Sequence, residues 1–104
     1  MTAHRRYFFQ EPGEYTGGQH DQLRAFLEQM CTAHWWYTEP EVTGAVFDRL
    51  TFSFKVSARD QWWCHRRAMW LAYRCYESLG RSPEAVPEPM WETLPPHENR
   101  GSYR

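Results

Sequence analysis

The sequence predicts an α+β domain in which two helices pack on one face of a small antiparallel sheet, in a ferredoxin-like order of elements. Three observations predict it. Leu50, Phe52, Phe54 and Val56 alternate with Thr51, Ser53, Lys55 and Ser57, the two-residue period of a strand with one buried face. Leu23, Phe26, Leu27, Met30 and His34 recur at the three- and four-residue spacing of a helix packed on one side. Ser57 to Gly80 reads as a second amphipathic helix, with Met69, Ala72, Tyr76, His65, Leu79, Ala68, Cys75, Cys64 and Leu71 on one broad arc.

Taken in chain order, a first strand runs from Arg5 to Gln10 and ends at Glu11-Pro12-Gly13, which is turn chemistry. A connector carrying Gly17-Gly18 leads to the first helix, from about His20 to His34. Trp35, Trp36 and Tyr37 open an extended segment that Pro40 restricts to an edge or a loop. Thr43-Gly44 interrupts the chain before the alternating strand. Ser57 with Asp60 forms a variant capping box for the second helix, and Gly80 with Pro83 ends it. This places a single α+β domain at residues 1–80. Residues 81–104, with Pro83, Pro87, Pro89, Pro95 and Pro96, form a Pro-rich tail expected to pack on the domain, where Met90, Trp91 and Leu94 offer apolar contacts and a short edge strand. The sheet face carrying Thr51, Ser53 and Lys55 is left for water, the tail or a second copy.

A chain of 104 residues holds one core, and 41% hydrophobic with 17% aromatic content argues for a folded, aromatic-rich interior. The formal net charge of -1 supplies no global field for nucleic acid or anionic membrane. Lys55 is the only lysine, and the other eleven basic residues are Arg. Arginine suits carboxylate, phosphate and aromatic contacts, although a GC-rich coding sequence also enriches Arg, Trp, Pro and Gly. Cys64 and Cys75 lie roughly 16 Å apart along one helix, too far to bridge, so reduced thiols and a cytoplasmic setting are expected. No apolar run is long enough to span a bilayer.

The feature a core does not explain is the far side of the second helix. Trp63 and Trp70, one heptad apart, fall among Arg66, Arg67 and Arg74 on its charged face. Large apolar surface there must be covered by another part of the chain, with Met90, Trp91 and Leu94 of the tail as candidates, or by a partner. Interface anchors are enriched in Trp, Tyr and Arg, so Trp63, Arg66, Arg67, Trp70 and Arg74 are the expected partner-binding residues. The partner is a host protein or a second copy. Nucleic acid held by stacking and phosphate contacts on the same patch is the next reading, and a virion structural subunit the third.

Other chemistry is not expected. Phe52 and Phe54 resemble base-stacking strand aromatics, but they share a face with Leu50 and Val56, which makes them core. Cys31 with His34, and Cys64 with His65, have the residue types of zinc ligands. Both histidines fall on packed stripes, however, and buried thiols with satisfied histidines account for them, so no metal and no cofactor are expected. The chain carries no Gly-rich phosphate loop, nucleophile elbow or paired-carboxylate spacing, and a non-enzymatic protein is expected.

Two runs are similar to small accessory proteins encoded by actinobacteriophages. One is Ser57-Ala58-Arg59-Asp60-Gln61-Trp62-Trp63 with His65-Arg66-Arg67-Ala68-Met69, and the other is Leu94-Pro95-Pro96-His97 through Asn99-Arg100-Gly101 to Tyr103-Arg104. The resemblance covers the C-terminal half and carries no functional residue with it. It implies a phage gene expressed in the cytoplasm of a GC-rich bacterial host, and action by binding a host or defence component.

Overall fold

The structure, a computed structural model, describes residues 2–11, 15–43 and 50–94. Its organising strand is the one with the clearest alternation. In β3 (Leu50–Ala58), Leu50, Phe52, Phe54, Val56 and Ala58 are all buried on one face. β1 (Ala3–Glu11) lies antiparallel beside it with Tyr7 opposite Phe54 and Phe9 opposite Phe52, so Arg5, Tyr7 and Phe9 join the same buried face. β2 (Tyr37–Thr43) pairs with the other edge of β3, and β4 (Met90–Thr93) with the free edge of β1. The strand order is β2-β3-β1-β4, antiparallel throughout. With α1 (Gly17–Ala33) between β1 and β2, and α2 (Gln61–Ser78) between β3 and β4, this is the ferredoxin-like arrangement.

The interior owes its aromatic character to a division of labour. The sheet supplies rings, with Phe9 stacked on Phe52 at 5.1 Å between centroids. α2 lays Cys64, Ala68, Ala72 and Cys75 against them, and these small side chains let the helix approach the bulky sheet at close packing. Leu23 and Leu27 of α1 fill the remainder.

Helix ends differ from the sequence expectation in instructive ways. α1 begins at Gly17 rather than near His20, because Thr16 and Gln19 form a reciprocal capping box, each side chain bonded to the other's backbone N–H. For α2, Ser57 remains in β3 and its hydroxyl bonds His4 Nδ1 at 2.8 Å, so the Ser57–Asp60 box does not form. Asp60 alone caps, accepting from the Trp63 N–H at 2.8 Å. The C-terminus is a Schellman turn: Arg81 N–H reaches Tyr76 O, Gly80 N–H reaches Glu77 O, and Gly80 takes the left-handed φ of +75° this needs.

Of the two expected settings for Pro40, an edge or a loop, the structure takes the edge, beside an irregularity in pairing between Thr38 and Glu41. There Glu39 adopts φ +50°, and its carboxylate bonds Arg6 at 3.1 Å and Lys55 at 2.9 Å. Arg6 also donates to Ser53 Oγ at 3.0 Å. The face opposite the helices is therefore bound across three strands by charge, and Ser53 is buried beneath it.

The segment after α2 does more than lie against the domain. A short 3-10 turn, Pro83–Ala85, runs along α2, and Met90–Thr93 becomes the fourth strand. Arg81 and the Tyr76 hydroxyl both bond the Glu11 carboxylate, at 3.0 and 2.7 Å, tying the end of α2 to the end of β1. The expected breaks at Pro12-Gly13 and Gly44, and the closing run from Pro95 to Arg104, lie outside the described residues.

Candidate functional site

The outer flank of α2 is met by the chain as it leaves α1. His34 caps α1 in an extended conformation, and a tight turn follows in which Tyr37 N–H bonds His34 O at 3.2 Å. Ser57 N–H then bonds Trp36 O at 2.9 Å, fixing the turn against the end of β3. The run Trp35-Trp36-Tyr37 is thereby split three ways. Trp35 projects outward, 72% exposed, Trp36 lies half-buried, and Tyr37 is buried. Its hydroxyl donates to Arg67 O on α2 at 2.7 Å, and burial pushes the phenol up to about 12, so it remains a donor.

Arg67 closes the arrangement. Its guanidinium sits 4.4 Å from the Trp36 ring centre and donates to Ser57 O at 2.7 Å. His34 stands edge-on to Trp70 at 5.8 Å and packs on Trp36 at 4.8 Å. These rings, with Trp63 and Arg66, enclose a pocket of about 260 Å³, and a second recess beyond it is walled by Arg59, Trp63 and Arg67. Together they form one groove along α2. Trp62, 58% exposed, stands edge-on to Trp63 at its rim, and Arg66 lies over both rings at 4.9 and 5.6 Å.

Of the five residues expected to bind a partner, Trp63, Arg66, Arg67 and Trp70 are brought together in this groove. Arg74 is placed differently. It stacks on Trp70 at 5.7 Å and pairs with Glu77 at 3.0 Å, which neutralises it, and it does not line the groove. Neither of the simple pictures of the Trp ridge holds alone. Trp91 of β4 packs on Tyr7 and His65, on the opposite flank of α2. What partly covers the ridge is the α1–β2 turn, through His34 and Trp36. Trp63 is half-buried against the core, whereas Trp70 is 43% exposed. His34, Trp36 and Tyr37 were missed as site residues. Three consecutive aromatics directly after a helix, with room for only one in the core, is the sequence signal that could have marked them.

The groove is an apolar cup with basic walls. No Asp or Glu lines it among the described residues. Arg66 makes no ion pair among the described residues, and Arg59 pairs with Asp60 at 3.8 Å. Such a surface offers apolar contact area and hydrogen-bond donors. The thiols are set up differently from nucleophiles, since burial raises the pKa of Cys31, Cys64 and Cys75 and keeps them protonated. No helix among the described residues is long and apolar enough to cross a membrane. Comparison with known proteins returned no match to the chain among family models, curated proteins or solved structures.

Proposed function

We propose that this chain is a non-enzymatic binding protein that docks on a partner protein through the groove between α2 and the α1–β2 turn. The observation that carries the proposal is the cluster of exposed rings at that groove. Trp35, Trp62 and Trp70 are among the most exposed large hydrophobics of the described residues, and arginines lie over Trp36, Trp62, Trp63 and Trp70. Indole rings offer large rigid contact area at low cost in side-chain entropy, and Trp with Arg dominates binding hot spots. The similarity of the C-terminal half to actinobacteriophage accessory proteins supports a phage-encoded protein acting on a component of its host, in the host cytoplasm.

The test is affinity capture from nuclease-treated actinobacterial lysate. The captured protein is identified, purified and re-bound to wild type and to a variant carrying Arg66→Glu with Trp70→Ala. These positions are chosen because both side chains are exposed, so the variant should keep its fold, whereas Trp63→Ala would open a hole against the core. A single partner that binds wild type at least tenfold more tightly than the folded variant bears the proposal out. Recovery only of nucleic acid without nuclease, or only of the chain itself, overturns it.

A further inference from the structure

Resting on the docking reading above, we infer that the groove takes an acidic linear segment of its partner, with one large apolar side chain seated in the aromatic cup and carboxylates on the arginine walls. Shape gives the first half. A pocket of about 260 Å³ is below the roughly 300 Å³ at which small-molecule sites begin. Its ring walls are tilted against one another, His34 to Trp70 at 85° and His34 to Trp36 at 35°. That is a shallow, open cup with room for a single side chain.

Charge gives the second half. Arg59, Arg66 and Arg67 reach the groove, and no carboxylate lines it among the described residues. Arg59, Arg74 and Arg81 are already answered, by Asp60, Glu77 and Glu11. Arg66 and Arg67 instead rest on Trp faces, where a guanidinium keeps its in-plane N–H edge free for a carboxylate while its flat face stays on the ring. Arg67 spends part of that edge on Ser57 O, which orients the rest. The groove's free polar capacity is guanidinium donors, so the occupant must bring acceptors.

Nucleic acid would also bring acceptors, but the site suits it poorly. Base stacking needs bare ring faces in series, and here one face each of Trp36, Trp62, Trp63 and Trp70 carries an arginine. A cationic segment is excluded by the same three arginines.

The experiment is selection of a displayed random peptide library on the full chain, followed by titration of the enriched peptides against wild type, Arg66→Gln and Arg66→Glu. The expected result is enrichment of Asp and Glu on both sides of Phe, Trp or Leu. Binding should weaken in moderate salt, fall in Arg66→Gln, and fall about tenfold or more in Arg66→Glu, roughly 1.4 kcal/mol. Enrichment of neutral or basic peptides, no enrichment, or equal binding by Arg66→Glu overturns the inference. So does preferential binding of a single-stranded oligonucleotide used as competitor. The two readings fail separately: a captured host protein that needs the groove, with no acidic preference among peptides, removes only the inferred chemistry.

Discussion

At the residue scale, the same side-chain type does opposite work depending on what it meets. Tyr76 is buried and its hydroxyl donates to Glu11, itself mostly buried, while Tyr73 one turn earlier is exposed. Burial raises the Tyr76 pKa, and the adjacent Glu11 carboxylate raises it further, so the phenol stays a donor. Removing that donor leaves a carboxylate oxygen short of a partner, a loss on the order of 2 kcal/mol. Tyr76→Phe is expected to lower stability in urea by about that amount, and Tyr73→Phe by less than about 0.5 kcal/mol. Equal effects of the two would show that the Tyr76–Glu11 bond contributes nothing. Tryptophan divides in the same manner. Trp63 is a shared residue, part core and part groove, whereas Trp70 belongs mainly to the surface.

At the element scale, the helices are fixed by their ends more than by their propensities. Each begins on a single cap, Thr16 or Asp60, and α2 finishes on Gly80 at φ +75°. A Cβ at Gly80 would meet nothing within 4 Å, so its replacement tests backbone strain free of steric clash. Gly80→Ala is expected to cost about 1 kcal/mol, read as a shift in the thermal midpoint with helix content unchanged. Gly80→Asn, which tolerates the left-handed region, should recover part of it. A stabilised Gly80→Ala variant would mean that the turn relaxes to another conformation.

At the scale of the whole molecule, the face opposite the helices holds β1, β2 and β3 together through Glu39. The Lys55 hydrogen bond, and beyond it the charges of Lys55 and Arg6, hold the Glu39 carboxyl below its ordinary value of 4.5. A carboxylate depressed in the folded state contributes stability that is full above the unfolded pKa and lost as pH falls through the folded one. Wild type should therefore exceed Glu39→Gln in urea midpoint at neutral pH, and the difference should shrink as pH drops below 4.5. A difference that stays constant through that range would assign the effect to the bulge backbone rather than to the charge.

The sequence by itself determined the α+β class, the buried face of β3, the two amphipathic helices and the restriction of Pro40 to an edge or a loop. These follow from local periodicity and backbone chemistry, which act over a few residues and need no knowledge of what packs opposite. It also singled out Trp63, Arg66, Arg67, Trp70 and Arg74, because a tryptophan within a charged arc violates helical amphipathicity wherever the helix ends up. The capping box of Thr16 and Gln19 was equally local, but the Gly17-Gly18 pair inside it disguised the start of α1 as a connector. Only the tertiary structure decided the rest. Whether Trp36 meets Arg67, whether Arg74 is spent on Glu77, and which flank of α2 receives Trp91 depend on contacts between residues distant in the chain. Such contacts are set by strand register and helix placement, and no period within one element encodes them.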